Sequence, residues 1–268
     1  MTERATEPAT DPSEPAAGLV PAHVLAAFQG EPGTPQPAGH AWDNGWRIGA
    51  NVYSRAGDYA GWAAKIREKL KVDGARVARP VRSTDGRFVV AGWQASTWIP
   101  GELMRRVDET VAVALRLSEA LAELPGPAAD TVPDDDPFTR ADRLAWEETG
   151  PQYREIGGPV QLGHADLLTS TVFQGTQAPT ITGLVPFPVP RPASYTAALV
   201  IVDGLVAGAV DDAVIDRFAH LPDLDQLLLR ALAYRRHVNE LHPGANQNTR
   251  SHLERVADLL ASRASATI

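Results

Sequence analysis

The stretch GHADLLTSTVF, residues 163–173, holds the residue types best suited to chemistry in this chain. His164 and Asp166 stand two apart, after the apolar approach Val160, Gln161, Leu162 and ahead of the strand-like PTITGLVPF. A carboxylate at a strand end can accept the proton of a substrate hydroxyl. Phosphotransferases add an amide five residues on and a second aspartate on the next strand to hold magnesium against nucleotide phosphates. The same His and Asp serve equally as turn formers or as hydrogen-bonded groups of a loop.

Other clusters offer less. Asp134-Asp135-Asp136 reads as a solvated acidic loop, because adjacent aspartates cannot all face one ion without a built turn. His237 and His242 lie five apart, whereas helical ligand pairs prefer four, and Pro243-Gly244 follow as a stop signal. Asp211, Asp212 and Asp216 open or line a helix. No serine-hydrolase elbow and no dinucleotide fingerprint is present. Trp93 and Trp98, five apart on one strand, point to opposite faces, so one of them can line a cleft.

The elements that would position these residues follow from pattern and punctuation. Residues 1–20 are acidic and proline-containing without an apolar core and read as a disordered tail, neither signal peptide nor anchor. PAHVLAAF (21–28) is a short helix, and QGEPGTPQPAG is a breaker. HAWDNG and WRIGANVYS form a hairpin about Asp43-Asn44-Gly45. Residues 58–72 make a helix with Asp58 as N-cap and Trp62, Ile66 and Leu70 along one face. Residues 75–99 make strand, turn at Asp85-Gly86, and strand. Beyond Pro100 the chain turns helical: 102–124 carries Val107, Val111, Ala114, Leu115, Ser118 and Leu121 in a stripe, and FTRADRLAWEE follows an acidic loop. The run 195–210, interrupted by Asp203, is too short to span a bilayer and reads as a buried helix, while Ser251 and Glu254 have capping-box spacing. The division is 1–20 tail, 21–99 mostly β, and 100–268 helical with one embedded hairpin.

With 44% hydrophobic and 22% charged residues, 268 residues suffice for a sizeable core. A net charge of −8 argues against nucleic acid or anionic membrane as partner. The chain has no cysteine, which removes disulfides, thiolate metal sites and thiol nucleophiles together and fits a reducing cytoplasm.

Four stretches, AWDNGWRIGANVYS, RVARPVRSTDGRFVVAGWQASTWIPG, GHADLLTSTVFQGTQAPTITGLVPF and RPASYTAALVIVDGL, occur in order over most of residues 40–205. Through them the chain resembles the aminoglycoside phosphotransferase-like branch of the protein-kinase-like fold, and an actinobacterial subfamily of it with degenerate motifs. The resemblance implies an α+β fold of two lobes, a small β-rich N-lobe and a larger helical C-lobe, with a nucleotide cleft between them and a hinge at Gly92, Trp93, Gln94 and Ala95. It makes Asp166 the catalytic base and His164 its support. The same comparison leaves Ser170 or Thr171 where the family has an amide, Gly183 where it has the second aspartate, and Val52, Tyr53 and Ser54 where its phosphate-contacting lysine ends a strand. Glu68 would be that lysine's helix partner; lacking it, Glu68 reads as an exposed charge beside Lys65 and Lys69.

Three functions follow as expectations. The first is a pseudokinase, a binding or regulatory protein with no metal site, no cofactor and an unidentified small molecule or protein as partner. The second is a small-molecule phosphotransferase using Asp166 with ATP and magnesium, or other chemistry in the same cleft. The third is a structural partner in an assembly. Trp42, Trp46 or Phe187 would exclude nucleotide if they filled the cleft.

Overall fold

The computed structural model describes residues 19–128, 130–131, 134–244 and 247–266. Most of the expected tail therefore lies outside the described residues. Helix α1 (Ala22–Ala27) leads into an antiparallel sheet of strands β1 (Gln36–Gly39), β2 (Gly45–Ile48), β3 (Asn51–Arg55), β5 (Val89–Val90) and β6 (Trp93–Thr97), in the order β1-β2-β3-β6-β5. Helix α2 (Ala60–Arg67) links β3 to the short β4 (Arg76–Val77), which pairs in parallel with β9 (Thr180–Ile181) outside that sheet.

The turn signal at 43–45 is used, but the strands around it differ from the expectation. His40–Trp42 form a 3-10 turn, and the strand before the turn is Gln36–Gly39, from the proline-containing segment expected to break structure. Both Asp43 and Asn44 take the left-handed conformation, at φ 53° and 51°, which short polar side chains tolerate. Gly45 must be glycine, since a Cβ there would lie 2.5 Å from the Tyr53 carbonyl oxygen. WRIGANVYS is two strands, β2 and β3, folded back at Gly49-Ala50. Helix α2 starts at Ala60 with Tyr59 at its N-cap and no side-chain cap, so Asp58 does not cap it.

The segment joining the sheet to the helices is 98–106, in which Glu102 exchanges two backbone hydrogen bonds of 2.9 Å with Phe173. Gly92 instead sits in the turn between β5 and β6, and Trp93, Gln94 and Ala95 lie within β6, paired to β3.

Helix α3 (Val107–Leu121) buries the expected stripe except Leu115, which is partly buried, and extends it through Thr110, Val113 and Leu117. Helix α4 (Pro137–Glu147) begins with Pro137 at its first position and the Asp136 carboxylate accepting from the Thr139 N–H at 2.7 Å. One member of the acidic triplet is thus a helix cap. Two small strands, β7 (Val160–Gln161) and β10 (Arg191–Pro192), pair with each other, and β8 (Thr171–Val172) pairs with β9. Helix α5 (Tyr195–Val206) is buried along nearly its whole length, as the apolar run requires. It packs among α3, α7 (Leu224–Leu241) and α8 (Gln247–Ala266), with the short α6 (Ala213–Arg217) between α5 and α7. Helix α8 starts at Gln247, so Ser251 is interior to it, its hydroxyl bonded to the Gln247 carbonyl, and makes no capping box.

The result is a mixed α+β structure, a small antiparallel sheet followed by a helical region. The main apolar cluster joins α2 to α3, α5, α7 and α8. A second, of Val24, Phe28, Tyr53 and Trp93, fills the space between α1 and one face of the sheet, and Trp46 packs against it. A third, of Ala41, Trp42, Val52, Ala78 and Val172, lies on the opposite side and joins β3 to β8. Among the described residues no helix is long and apolar enough to cross a membrane.

Candidate functional site

The loop 163–170 is held by its own backbone groups. His164 is fully buried; its N–H donates to Thr196 Oγ1 at 2.8 Å and its Nδ1 accepts the Asp166 N–H at 3.0 Å. Because Nδ1 accepts, the ring proton sits on Nε2, which donates to the Gly183 carbonyl 3.2 Å away. Burial holds the His164 pKa down at about 4, against an opposing pull from the Asp166 carboxylate, so the ring is neutral. Ala165 N–H donates to Val185, and the Ala165 carbonyl accepts from Arg235 at 2.9 Å. Arg235 is itself fixed by two 2.6 Å bonds to Asp203, the lone carboxylate of buried helix α5. The His and Asp of the sequence therefore do different jobs. His164 ties the loop to residue 183, while Asp166 presents a part-exposed carboxylate whose Oδ2 takes a 2.5 Å bond from Thr169.

Above this loop, between it and the sheet, lies an open cavity of about 420 Å³. Its walls are the 41–43 turn, the start of α2, the facing side chains of β3 and β6, and residues 182–185. Gln94 and Ser54 contribute polar groups here, 3.3 Å apart and bonded to each other. Trp93 faces away, buried against Tyr53 and α1 with Arg55 stacked 4.4 Å over it, and Trp98 packs against the cluster on the opposite side of the sheet. Trp42 packs on Trp98 with ring centroids 5.0 Å apart. Phe187 packs into the main core against Tyr195 instead.

Arg67, which no motif singles out, also lines this cavity. It is 3% exposed and extends from the last turn of α2 beneath the sheet. Its Nη1 donates to the Ala78 carbonyl at 3.1 Å, Ser96 Oγ at 3.2 Å and the Thr182 carbonyl at 3.0 Å. Burial pulls its pKa down to about 10, with Asp43 opposing, so it remains a cation at neutral pH. Glu68, the next residue, is turned outward and makes a bidentate pair with Arg82 on the surface. A signal for this existed in the spacing: Ala60, Ala63, Ala64 and Arg67 form an i, i+3, i+4, i+7 stripe, and that stripe, not one running through Trp62 and Ile66, is the most buried face of α2.

Of the positions at which the resemblance would seat magnesium and triphosphate, Ser54, Ser170 and Gly183 line the cavity, and none of the three carries a carboxylate or a cation. Gly183 brings no carboxylate, and Thr171 is buried with its hydroxyl bonded to the Leu167 carbonyl. Val52 and Tyr53 are buried in apolar clusters on the two faces of the sheet. The Thr182 hydroxyl bonds the Ala41 carbonyl and so draws the β1–β2 turn down onto the loop beside Gly183.

Asp43 stands at the cavity mouth, reachable by water yet crowded; the crowding raises its carboxyl pKa against the opposing pull of Arg67 and His40. No family model matches the chain, and no curated protein matches it.

Proposed function

We propose that this chain has a protein-kinase-like fold of the aminoglycoside phosphotransferase type that no longer transfers phosphoryl groups and acts as a binding or regulatory protein. The sheet order β1-β2-β3-β6-β5, the helix α2 between β3 and the last two strands, and a His-x-Asp loop bonded to residue 183 are the features that favour the likeness. One observation carries the functional reading. The turn 40–44 is latched to Thr182 and Trp42 packs on Trp98 beside β3, which favours a cleft narrowed by the protein's own side chains. Phosphoryl transfer depends on positioning and charge stabilisation, and a glycine at 183 supplies neither to a metal.

Asp166 then remains as a loop residue tied to Thr169 and Arg235. The test is turnover of ATP in the presence of magnesium by the wild-type chain and by Asp166→Asn. The two are expected to give the same background rate. Turnover in the wild type that the substitution removes would contradict the reading.

A further inference from the structure

Charge is unevenly placed along this chain. Residues 65–87 hold eight lysines and arginines against three acids, although the net charge of the whole is −8. All three lysines of the protein, Lys65, Lys69 and Lys71, fall in this run, and each is exposed. The fold gathers the run at one place. Lys65 and Lys69 stand four residues apart, in the last turn of α2 and just past its end. Arg79 returns from beyond β4 to the same turn, where its Nη1 donates to the Glu68 carbonyl at 3.1 Å and to the Arg67 carbonyl. Arg116 of α3 reaches the turn after Lys71, so close that a Cβ on Gly74 would collide with its Nη1.

Nothing internal absorbs this charge. Glu68 is taken up by Arg82 and Asp85 by Arg87, while none of the three lysines, nor Arg79 or Arg116, has a carboxylate within ion-pair distance among the described residues. Asp73 lies in the turn after Lys71 and Glu119 follows Arg116 on α3, so the excess is greatest at the α2 end. The helix dipole supplies only about half a negative charge there, and Arg79 meets it directly. A partner for the remaining cations must be anionic and short. Duplex nucleic acid carries a charge about every 1.7 Å and would run on from this patch over a surface where acids outnumber bases. A polypeptide with a few neighbouring carboxylates matches both the number of free cations and their extent. We infer that the outer face at the end of α2, formed by Lys65, Lys69, Lys71 and Arg79, docks an acidic segment of another protein. This goes beyond the proposed loss of phosphoryl transfer and stands on the placement of charge alone.

The probe is a capped hexaglutamate peptide, titrated at low ionic strength into the full chain with its lysines selectively labelled with carbon-13. Because the chain has no other lysine, every labelled signal reports on this face. The signals are expected to shift saturably with hexaglutamate and to stay in place with hexaglutamine, and the affinity to fall as salt is raised. The double variant Lys65→Gln and Lys69→Gln, followed by the anisotropy of a fluorescent hexaglutamate, is expected to bind about fivefold more weakly. Arg250→Gln, at an exposed arginine of α8, is expected to leave binding unchanged. The absence of a saturable shift, or a double variant that binds as the wild type does, overturns the inference. Hexathymidylate binding as tightly as hexaglutamate overturns it too, in favour of a nucleic-acid face. A full-length variant with Glu3, Glu7, Asp11 and Glu14 changed to their amides is expected to bind within about twofold of wild type. Binding by that variant alone would assign the face to the chain's own acids and overturn the docking of a separate protein. Turnover of ATP bears on none of these outcomes, so the preceding reading stands or falls separately.

Discussion

Arg67 and Gly183 both line the cavity, and the neighbours of each are known. The carbonyl of Thr182 accepts from Arg67 while that of Gly183 accepts from His164, so Arg67 and His164 are tied to two consecutive residues. A Cβ built on Gly183 meets nothing within 4 Å, so the position tolerates a side chain. Gly183→Asp is expected to fold with stability within about 0.5 kcal/mol of wild type, as judged by denaturant unfolding. The variant is expected to show no ATP turnover, since Val52, Tyr53 and Ser54 still bring no cation to a triphosphate. Robust turnover would mean that the missing carboxylate alone had silenced the site. His164 and Asp166 were legible in the sequence because their types and spacing stand out; Arg67 was not, because an arginine in AAKIREKLK resembles its solvated neighbours until the alanine stripe is placed against the sheet.

At the scale of elements, the helical region depends on buried ion pairs that cross between helices and strands. Asp142 of α4, 1% exposed on its side chain, takes two bonds from Arg191 of β10, one of them 3.1 Å, and Arg191 lies 4.4 Å over the Trp146 ring. Burial raises the Asp142 pKa, and the Arg191 guanidinium opposes that rise. Removing one member strands the other charge, so Asp142→Ala is expected to lose about 3–5 kcal/mol in urea unfolding. A loss below about 1 kcal/mol would show that Arg191 finds solvent without cost.

The long helices were readable because their apolar stripes persist over several turns, and the buried helix around Asp203 because its run was almost wholly apolar. The first strand was not: Gln36–Gly39 contains proline and glycine, and it is tolerated because an edge strand need not donate from every residue. Ala91-Gly92, beside the hinge that the resemblance implies, makes a tight turn with φ 49° and 74° between two short strands.

For the whole molecule, the neutral His164 sets a pH dependence. Its folded pKa of about 4 lies below its ordinary 6.5, with burial as the largest cause and with Asp166, Arg235 and Arg67 as the charges around it. Above pH 6.5 both folded and unfolded chains hold it neutral, so it costs nothing; as pH falls toward 4 only the unfolded chain takes up the proton, and stability falls by about 3 kcal/mol at most. In His164→Gln that part of the decline is expected to vanish between those limits, while the overall stability is lower at every pH. An unchanged slope in the variant would mean that the ring is not the titrating group.

The central claim concerns what the cleft can hold, and the most direct measurement is thermal unfolding of the full chain with ATP, with and without magnesium. A ligand at about 100 times its Kd adds about 2.7 kcal/mol, a shift that melting curves resolve readily. The account predicts that magnesium and ATP together leave the midpoint where ATP alone leaves it. A midpoint raised by ATP only when magnesium is present would contradict it.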